Sequence, residues 1–357
     1  MKKQSRFPNA EFPKSHYLFQ RTQSFRELLK EKNLDGYLLT NLADLYYFTD
    51  YKSEGYYALI GLKESWLFLP NLLFDQGKSN TVGFNCLKGA FFPTLKEIRE
   101  KHKLKKIGFD PNQLPYSFGS ALVKLGFIEV PGLITQLRTI KDAFEMKRLR
   151  AANHLAALGA EFVQKRLKPG RTEKQISADL AHFFNLNGDG IAFELIIAGG
   201  PNGAFPHHIV SDYKLKAGEP VVCDIGATWE GYRSDLTRTF PLGKMTRLFS
   251  TVFNIVERAQ KAGIRQLKPG VTAGSVDFAS RQVIKKSGYG ETFVHSTGHG
   301  VGIDIHEHPR IGPGAKDKLT TGMVVTVEPG IYLPGKFGVR IEDTLLVTPK
   351  GSEILTK

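Results

Sequence analysis

The sequence VVCDIGATWEGYRSDLTRTF, residues 221–240, predicts a β-hairpin that carries an acidic residue on each arm. The apolar run at its start indicates a buried strand, the tripeptide WEG supplies a turn, and β-branched and aromatic residues fill the return arm. Asp224 and Asp235 are equidistant from a turn centred between Trp229 and Glu230, so we expect them to be cross-strand neighbours on one face. Two carboxylates that close repel each other and take up a proton unless a cation lies between them. The alternative is a polar hairpin whose acids are solvated.

The composition is that of a globular protein with a large core, because 41% of the 357 residues are hydrophobic and 24% are charged. The net charge of +14 is divided equally on either side of residue 140, and no basic motif with interleaved aromatic residues accompanies it, so we expect no nucleic-acid partner. The N-terminus lacks the apolar core of about 7–15 residues that a signal peptide needs, so we expect no membrane anchor. Two cysteines, Cys86 and Cys223, are too few for a disulfide framework, which favours the reducing cytoplasm.

Residues 1–140 alternate between strand and helix patterns, which predicts an α/β domain with a parallel or mixed sheet. The predicted helices cover residues 17–32, 95–105 and 119–125, residues 42–48 form a short helix or a turn, and the predicted strands cover residues 37–40, 57–60, 66–69 and 106–109. A charged connector, LRTIKDAFE at residues 137–145, leads into a long amphipathic helix predicted over residues 146–167. We therefore place a domain boundary between residues 140 and 141.

An internal repeat runs through residues 141–357. LKPGRT at residues 167–172 recurs as LKPGVT at residues 267–272, and in each copy the Pro-Gly pair stops the chain while the threonine is placed to cap the next helix. GEPVVCD at residues 218–224 aligns without a gap to GMVVTVE at residues 322–328, so that an acid follows a glycine by six residues in both. Two matches in the same order predict a duplicated unit of two helices and a hairpin.

The second copy of the hairpin offers its own pair of acids. Residues 325–328 form the predicted outgoing arm, which ends at Glu328, and a Gly/Pro-rich connection leads to a return arm, VRIEDTLLV at residues 339–347, that carries Glu342. Arg340 and Glu342 are two residues apart in this arm and are therefore predicted to share a face. Two duplicated hairpins folded about a pseudo-twofold axis would bring four carboxylates together, and this arrangement predicts a metal site.

Four carboxylates in one small volume carry too much negative charge to persist without divalent cations, and four acids suit two metal ions that share bridging oxygens. A histidine completes such a ligand set. The stretch HSTGHGVG at residues 295–302 offers His299 between glycines that let its imidazole approach an ion. Four oxygens and one nitrogen favour Mn²⁺, Co²⁺, Zn²⁺ or Fe²⁺ over Ca²⁺. The alternative for His299 is a core histidine with its hydrogen bonds satisfied.

On four motifs, DIGATWEGYRSDLTRTF, HSTGHGVGIDIHEHP, VTVEPGIY and VRIEDT, residues 144–356 resemble the pita-bread metallopeptidases of the prolidase, aminopeptidase P and methionine aminopeptidase family. The preceding residues resemble the creatinase-like N-terminal domain of the prolidase and aminopeptidase P branch. The resemblance implies an α/β (α+β) fold, with a creatinase-like α/β domain over residues 1–140 and a pseudo-twofold pita-bread catalytic domain over residues 141–357. It also implies two bridging metal ligands, Asp235 and Glu342. The full set of implied ligands is Asp224, Asp235, His299, Glu328 and Glu342.

The resemblance also implies catalytic roles around the metal ions. The nucleophile would be a metal-bridged hydroxide, and Glu328 would shuttle its proton. His207 and His306 would bind the substrate and the developing gem-diolate. His208 is an adjacent alternative to His207, and the 17-residue spacing between His207 and Asp224 favours His207.

Three further residues are assigned to the substrate pocket by the resemblance, and a fourth, Phe205, by the apolar wall that a proline ring needs. His295 would line the pocket, and Arg340 would orient Glu342 through a charge-assisted hydrogen bond. Phe205 could supply an apolar wall for a proline ring. Arg310 occupies a position that is basic in prolidase-like members and could bind the carboxylate of a dipeptide; a surface arginine is the alternative.

These assignments predict an exopeptidase with two divalent metal ions per chain, Mn²⁺ ahead of Co²⁺, Zn²⁺ or Fe²⁺, that hydrolyses the peptide bond preceding proline. The N-terminal domain favours the Xaa-Pro branch, but it leaves Xaa-Pro dipeptidase and Xaa-Pro aminopeptidase open. The alternatives are a methionine aminopeptidase-like activity and a pita-bread module that binds a peptide without hydrolysing it. The expected partners are Xaa-Pro peptides, with neither nucleic acid nor a membrane. The resemblance implies a homodimer, and the low cysteine count favours the cytoplasm.

Overall fold

The computed structural model describes residues 12–357, and within them the chain divides into two compact units, residues 12–138 and residues 139–357. Each unit has its own sheets and its own buried core. No helix in this described part of the chain is both long enough and apolar enough to span a membrane.

The first unit contains six strands and six helices. Its strands are β1 Gly36–Leu39, β2 Tyr57–Gly61, β3 Ser65–Leu69, β4 Asn85–Lys88, β5 Ile107–Phe109 and β6 Ile128–Glu129. Its helices are α1 Lys14–Glu31, α2 Leu42–Thr49, α3 Phe74–Asn80, α4 Phe91–Lys101, α5 Tyr116–Lys124 and α6 Leu133–Thr139, the last of which ends at the boundary. The strands form one sheet in the order β4-β3-β2-β1-β5-β6. β2 pairs antiparallel with β1 and β3, whereas the other pairs are parallel, so the sheet is mixed as the alternating pattern predicts.

One predicted helix of the first unit is displaced. The pattern predicted a helix over residues 95–105, but α4 begins at Phe91 and ends at Lys101. It ends there because Lys103 adopts a left-handed backbone conformation, with φ of 54°, which cannot continue a right-handed helix. The early start is possible because Pro93 lies in the first turn, where its missing N–H has no intrahelical acceptor to lose.

The second unit contains four helices and twelve strands. Its helices are α7 Ala143–Gln164, α8 Glu173–Asn187, α9 Arg247–Gln266 and α10 Ala273–Lys286. Its strands are β7 Ile196–Gly199, β8 Glu219–Ile225, β9 Thr228–Trp229, β10 Tyr232–Arg233, β11 Leu236–Leu242, β12 Gly298–Gly300, β13 Glu307–Ile311, β14 Val324–Val327, β15 Gly330–Leu333, β16 Phe337–Arg340, β17 Asp343–Thr348 and β18 Gly351–Ile354. They form the sheets β11-β8-β7 and β13-β12-β14-β17-β18 and the ribbons β10-β9 and β15-β16.

The duplication predicted from the sequence is repeated in backbone hydrogen bonds. The amide nitrogen of Gly170 donates to the carbonyl oxygen of Leu215, and that of Gly270 donates to Leu319, each at 2.8 Å. Both glycines have positive φ, 88° and 85°, so both Pro-Gly turns need a residue without a Cβ. Each turn is followed by a helix, α8 in the first copy and α10 in the second, and each helix packs on a separate hydrophobic core of the unit.

The two predicted N-cap threonines differ in detail. Thr172 caps α8 with a full capping box, in which its side chain and that of Gln175 accept from each other's backbone nitrogen. Thr272 occupies the same position before α10, but its side chain makes no capping hydrogen bond. The position of both caps is therefore as predicted, whereas the hydrogen bond forms in the first copy alone.

The register of the first hairpin differs from the prediction. Asp224 in β8 pairs with Thr237 in β11, so Asp235 is a diagonal neighbour on the same face and does not lie directly opposite. The reason is the turn, which consists of Glu230 and Gly231 with φ of 43° and 75°. Positive φ at both central residues is typical of the two-residue type I′ turn, whose centre lies one residue later than the predicted one.

The return arm of the second hairpin is not one strand. β14 pairs with β17, whereas the segment between them folds back on itself as the ribbon β15-β16. Glu342 lies between the end of β16 at Arg340 and the start of β17 at Asp343. Strand alternation therefore does not place Arg340 and Glu342 on one face as predicted, although both side chains reach the same cavity.

Strand alternation does determine the direction in which Asp224, the acid of β8, points. Val221, Cys223 and Ile225 are buried in the core that α7 and α8 cover, so Asp224 faces the other side of the sheet. There its cross-strand neighbours are Ile196 of β7 and Thr237 of β11.

Candidate metal centre

Three side chains from separate elements converge at the centre of the second unit. Asp235 lies just before β11, His299 lies in β12, and Glu342 lies between β16 and β17. One oxygen or nitrogen atom from each falls within 4.8 Å of the others, which is close enough for one ion to bind all three. His299 Nε2 lies 3.5 Å from Asp235 Oδ2 and also 3.5 Å from Glu328 Oε1, so a fourth side chain, and third acid, borders the same space.

The imidazole of His299 is oriented for a ligand at Nε2. Its Nδ1 lies 2.9 Å from the carbonyl oxygen of Gly300, and its backbone nitrogen donates to Thr326 Oγ1. A proton on Nδ1 bonded to that carbonyl leaves the lone pair of Nε2 free to face the acids. A hydrogen bond from Nδ1 to a backbone carbonyl oxygen, with Nε2 directed at the ligand site, is the usual orientation of a metal-binding histidine.

Two carboxylate oxygens in the site have no hydrogen-bond partner among the residues that the structure describes. They are Asp224 Oδ1 and Glu342 Oε1, and both are buried. A buried oxygen of this kind is costly unless a donor or a cation satisfies it. The residues present therefore fit divalent cations, which would satisfy both orphaned oxygens.

The electrostatics of the site indicate the same need for positive charge. Burial and the neighbouring carboxylates raise the pKa of Glu342 well above its usual value. Burial raises the pKa of Asp235 to about 6 and that of Glu328 to about 7. Burial acts in the other direction on His299, but Asp235 and Glu328 raise the pKa of its imidazole to about 9. The acids are thus destabilised as anions until a cation joins them.

Arg340 organises one side of the cluster. Its Nη2 donates to Asp224 Oδ2 at 2.6 Å, its Nη1 to Tyr332 Oη at 2.8 Å, and its Nε to Thr237 Oγ1 at 3.1 Å. Thr237 Oγ1 in turn donates to Glu342 Oε2 at 2.6 Å. The predicted direct bond from Arg340 to Glu342 is therefore absent, since Thr237 stands between the two residues.

The histidines of the site have different surroundings. His295 Nε2 lies 2.8 Å from Tyr332 Oη, and burial together with the charge of Arg340 lowers the pKa of His295 to about 4. His306 packs edge-on against His299 with ring centroids 4.4 Å apart, and burial followed by the charge of His299 lowers its pKa. His295 is consequently neutral at pH 7.

Of the two adjacent histidines, His207 is exposed and faces the cavity of the cluster. The ring of His208 points the other way, with Nε2 2.8 Å from Glu173 Oε2. Arg310 also reaches the cavity, where its Nε donates to Ser296 Oγ at 2.8 Å. The preference for His207 over His208, which the sequence based on the spacing to Asp224, therefore also has a structural basis.

A cavity of about 610 Å³ is lined by all ten residues that were predicted as metal ligands or as polar catalytic and substrate-binding groups. They are His207, Asp224, Asp235, His295, His299, His306, Arg310, Glu328, Arg340 and Glu342. The apolar part of the lining comes from Phe193, Ile196, Pro206 and Ile305. Phe205, the predicted apolar wall, is 60% exposed and is not part of this lining.

Sequence reasoning missed two residues that hold the site together, Thr237 and Tyr332. Thr237 follows Asp235 by two residues in a strand, so period-two alternation could have placed it on the same face. Tyr332 lies in the Gly/Pro-rich stretch after Glu328, which gave no sign of a strand of its own. Its hydroxyl joins His295 to Arg340.

Comparison with known proteins shows to which family a chain with this arrangement belongs. Residues 147–349 match the model of metallopeptidase family M24, and residues 21–140 match that of the creatinase/prolidase N-terminal domain. The chain is 34% identical to an Xaa-Pro dipeptidase of Pyrococcus horikoshii over 93% of this chain and 95% of that protein.

Two solved structures extend the comparison to the fold. An Xaa-Pro dipeptidase from Bacillus anthracis superposes with a TM-score of 0.92 at 34% identity, covering 95% of this chain and 98% of that one. An X-Pro aminopeptidase from Thermotoga maritima superposes with a TM-score of 0.88 at 32% identity, covering 94% and 97%. The fold is thus the α/β pita-bread type with a creatinase-like first domain, and the chain belongs to metallopeptidase family M24.

Proposed function

We propose that this protein is a divalent-metal-dependent exopeptidase that hydrolyses the peptide bond preceding proline. The observation that carries the proposal is the buried cluster of Asp235, His299 and Glu342, with two orphaned carboxylate oxygens beside it. Relatives named Xaa-Pro dipeptidase and X-Pro aminopeptidase, each covering more than nine-tenths of the chain, support the Xaa-Pro specificity.

We further propose that the site holds two divalent ions, with Mn²⁺ ahead of Co²⁺, Zn²⁺ or Fe²⁺. The side chains that would hold them are Asp224, Asp235, His299, Glu328 and Glu342. Four acids and one imidazole are the hard and intermediate ligands that these ions prefer. Bound ions would supply the positive charge that polarises a scissile carbonyl group and lowers the pKa of a water molecule.

The residues of the chain then have separate tasks in the proposed reaction. Glu328, whose carboxyl faces the cavity, would take a proton from the attacking water and return it to the leaving imino nitrogen of proline. His207 and His306 would donate hydrogen bonds to the substrate and to the oxygen on which charge develops. Neutral His295, bonded to Tyr332, would line the pocket without adding charge.

The substrate side of the cavity suits a short peptide. Phe193, Ile196 and Ile305 provide apolar surface against which a proline ring would pack. Arg310 presents a guanidinium at the same cavity, and it would pair with the C-terminal carboxylate of a dipeptide. A tripeptide places its carboxylate one residue further away, so Arg310 favours dipeptides.

The proposal is tested with a matched panel of Xaa-Pro dipeptides and Xaa-Pro-Yaa tripeptides, beside Met-Ala and Met-Pro peptides, assayed with Mn²⁺, Co²⁺, Zn²⁺ and Fe²⁺. We expect release of the residue before proline, with dipeptides cleaved faster. Faster cleavage of the tripeptides would indicate an aminopeptidase, whereas exclusive cleavage of Met-Ala over Met-Pro peptides would indicate a methionine aminopeptidase. Binding without hydrolysis under all four metals would contradict an enzymatic role.

We also propose a domain boundary between residues 140 and 141 and a homodimer that works in the cytoplasm. Free cysteines at positions 86 and 223 support a reducing compartment. The resemblance to the prolidase branch supports the homodimer. Light scattering coupled to size-exclusion chromatography tests the oligomeric state, and a mass equal to one chain would contradict it.

A further inference from the structure

The buried carboxylate of Glu173 accepts hydrogen bonds from the segment 199–211, which contains His207. Glu173 is the first residue of α8, and its side chain is fully buried. It accepts five hydrogen bonds of 2.7–3.0 Å from residues that follow it by 26–38 positions. The donors are the backbone nitrogen of Gly199, Asn202 Nδ2, His208 Nε2, and the backbone nitrogen and Oγ of Ser211.

Both carboxylate oxygens of Glu173 accept more than one hydrogen bond. Oε1 accepts from Gly199 and Asn202, whereas Oε2 accepts from His208 and twice from Ser211. Burial alone would raise the pKa of Glu173, but the hydrogen bonds from these four residues lower it below its usual value. The group is therefore an ionised carboxylate, which can only accept, and every neighbour within reach donates to it.

The segment that contains His207 lies outside the regular secondary structure. Residues 205–213, all of which the structure describes, belong to neither a helix nor a strand, so no ladder of hydrogen bonds fixes their side chains. Besides the backbone hydrogen bond from His208 to Phe205, two contacts that involve side chains hold the chain on either side of His207. Arg340 Nη1 donates to the carbonyl oxygen of Pro206 at 3.2 Å, and Glu173 binds the ring of His208.

We propose that Glu173 is a positioning residue, which holds His208 inward and thereby leaves His207 facing the cavity. The inference rests on the proposed function, in which His207 contacts the substrate. The side chain of His208 is only 12% exposed, whereas His207 is exposed and lines the cavity. The two histidines share a turn, closed by the hydrogen bond of 3.2 Å from the backbone nitrogen of His208 to the carbonyl oxygen of Phe205, so fixing the ring of His208 also fixes the backbone that carries His207.

The substitution Glu173→Gln tests the proposal, because the amide keeps one acceptor oxygen and puts an NH₂ donor where the other oxygen accepted. At least two of the five hydrogen bonds are lost. We expect kcat/KM for an Xaa-Pro dipeptide to fall about tenfold. In a His207→Ala background the same change should cost less than about twofold, because the group that Glu173 positions is already gone.

Glu145 offers a matched control. It is also a buried glutamate in the first turn of a helix, and it accepts from the backbone nitrogen of Asp142 and from Tyr232 Oη. Glu145→Gln should lower the melting temperature but leave kcat/KM within about twofold of the wild type. Equal losses of kcat/KM in the two glutamine variants, or an undiminished loss for Glu173→Gln in the His207→Ala background, would overturn the proposal.

Acylation by diethyl pyrocarbonate, located by mass spectrometry, gives a readout that needs no activity. In the wild type we expect His207 to be acylated and His208 to be protected, and in Glu173→Gln we expect both to react. If the wild type fails to hydrolyse any Xaa-Pro peptide, the proposed function is wrong while this measurement still decides the role of Glu173. If the glutamine variant does not fold, Glu173→Asp, which withdraws the carboxylate by one methylene, replaces it. Unchanged protection of His208 in the variant that folds would overturn the proposal.

Discussion

Arg340 Nη2 donates a hydrogen bond of 2.6 Å to Asp224 Oδ2, joining two residues that are 116 positions apart in the chain. Both side chains are buried, with 4% and 14% of their surface exposed. The guanidinium also donates to Tyr332 Oη and Thr237 Oγ1, and these hydrogen bonds hold it in place. One oxygen of Asp224 is thus paired with a positive charge of the protein itself, whereas its Oδ1 is left for a cation.

Replacing Arg340 with methionine should destabilise the metal-free protein by about 3–5 kcal/mol, because Asp224 becomes a buried charge without a partner. Saturating Mn²⁺ should recover more stability in this variant than in the wild type, since bound ions restore positive charge beside Asp224. Urea unfolding with EDTA and with Mn²⁺ measures both effects. Arg281→Met, which breaks an ion pair with Asp277, is the control. Equal metal dependence in the two variants would contradict the prediction.

Two adjacent acids should respond differently to neutralisation. Glu342 belongs to the cluster and has an orphaned oxygen, whereas Asp343 accepts from Arg238 Nη2, Gln260 Nε2 and Thr356 Oγ1. We expect Glu342→Gln to lose metal and to lower the rate of hydrolysis more than about a hundredfold, because it removes a negative ligand.

Asp343→Asn is the matched control for that prediction. It should destabilise the protein through its lost hydrogen bonds but keep the metal content of the wild type. Elemental analysis of both variants, beside hydrolysis of an Xaa-Pro dipeptide, separates the two effects. Full metal content in Glu342→Gln would show that Glu342 is not a ligand.

The acids of the cluster were visible in the sequence because an acid in an apolar strand is anomalous and because the anomaly occurs twice. Val221, Val222 and Cys223 lead to Asp224 just as Val324 to Val327 lead to Glu328, and the duplicated pattern predicted the convergence. The hairpin register was wrong by two residues, because the turn position depends on the backbone of Glu230, which adopts a positive φ that glycine usually takes.

Contacts between residues that are far apart in the chain could not be predicted from the sequence. Nothing in the pattern links Thr237 to Glu342 or Glu173 to Ser211, since such pairs depend on how the sheets and loops pack. The role of Arg340 was misassigned for the same reason. Strand alternation placed it beside Glu342, whereas the ribbon β15-β16 turns it towards Asp224.

Metal binding should release protons near neutral pH. The raised pKa values of Asp235, about 6, and of Glu328, about 7, keep part of their protons bound in the metal-free protein, and His299, with a pKa of about 9, is protonated. Ligands must lose these protons, so the affinity for Mn²⁺ should fall as the pH is lowered from about 8 to about 6.

Isothermal titration calorimetry in buffers of different ionisation enthalpy counts the released protons. The apparent enthalpy of Mn²⁺ binding should vary with the buffer, and Asp343→Asn, which lies outside the cluster, should release the same number as the wild type. An enthalpy independent of the buffer would show that the ligands are already deprotonated in the metal-free state.

A second buried ion pair supports the segment that carries His306. Lys141 Nζ lies 3.0 Å from Glu307 Oε2, and the two side chains are 0% and 7% exposed. Glu307 Oε1 also accepts from the backbone nitrogen of Asp304 at 3.2 Å, which closes the loop before His306. A Cβ on Gly302 would lie 2.5 Å from the carboxylate, so only glycine leaves room for this arrangement.

Lys141→Met should reduce the free energy of unfolding by about 3–5 kcal/mol, because it leaves Glu307 charged and buried. The double variant Lys141→Met/Glu307→Met should regain most of that stability, since two apolar side chains replace the pair. The kcat/KM of the double variant should nevertheless stay about tenfold below that of the wild type, because the ion pair that orients the segment carrying His306 is missing. Denaturant unfolding and dipeptide hydrolysis provide the two measurements. Lys174→Met, which breaks an exposed pair with Asp212, should cost less than about 1 kcal/mol, and a similarly small cost for Lys141→Met would contradict the buried pair.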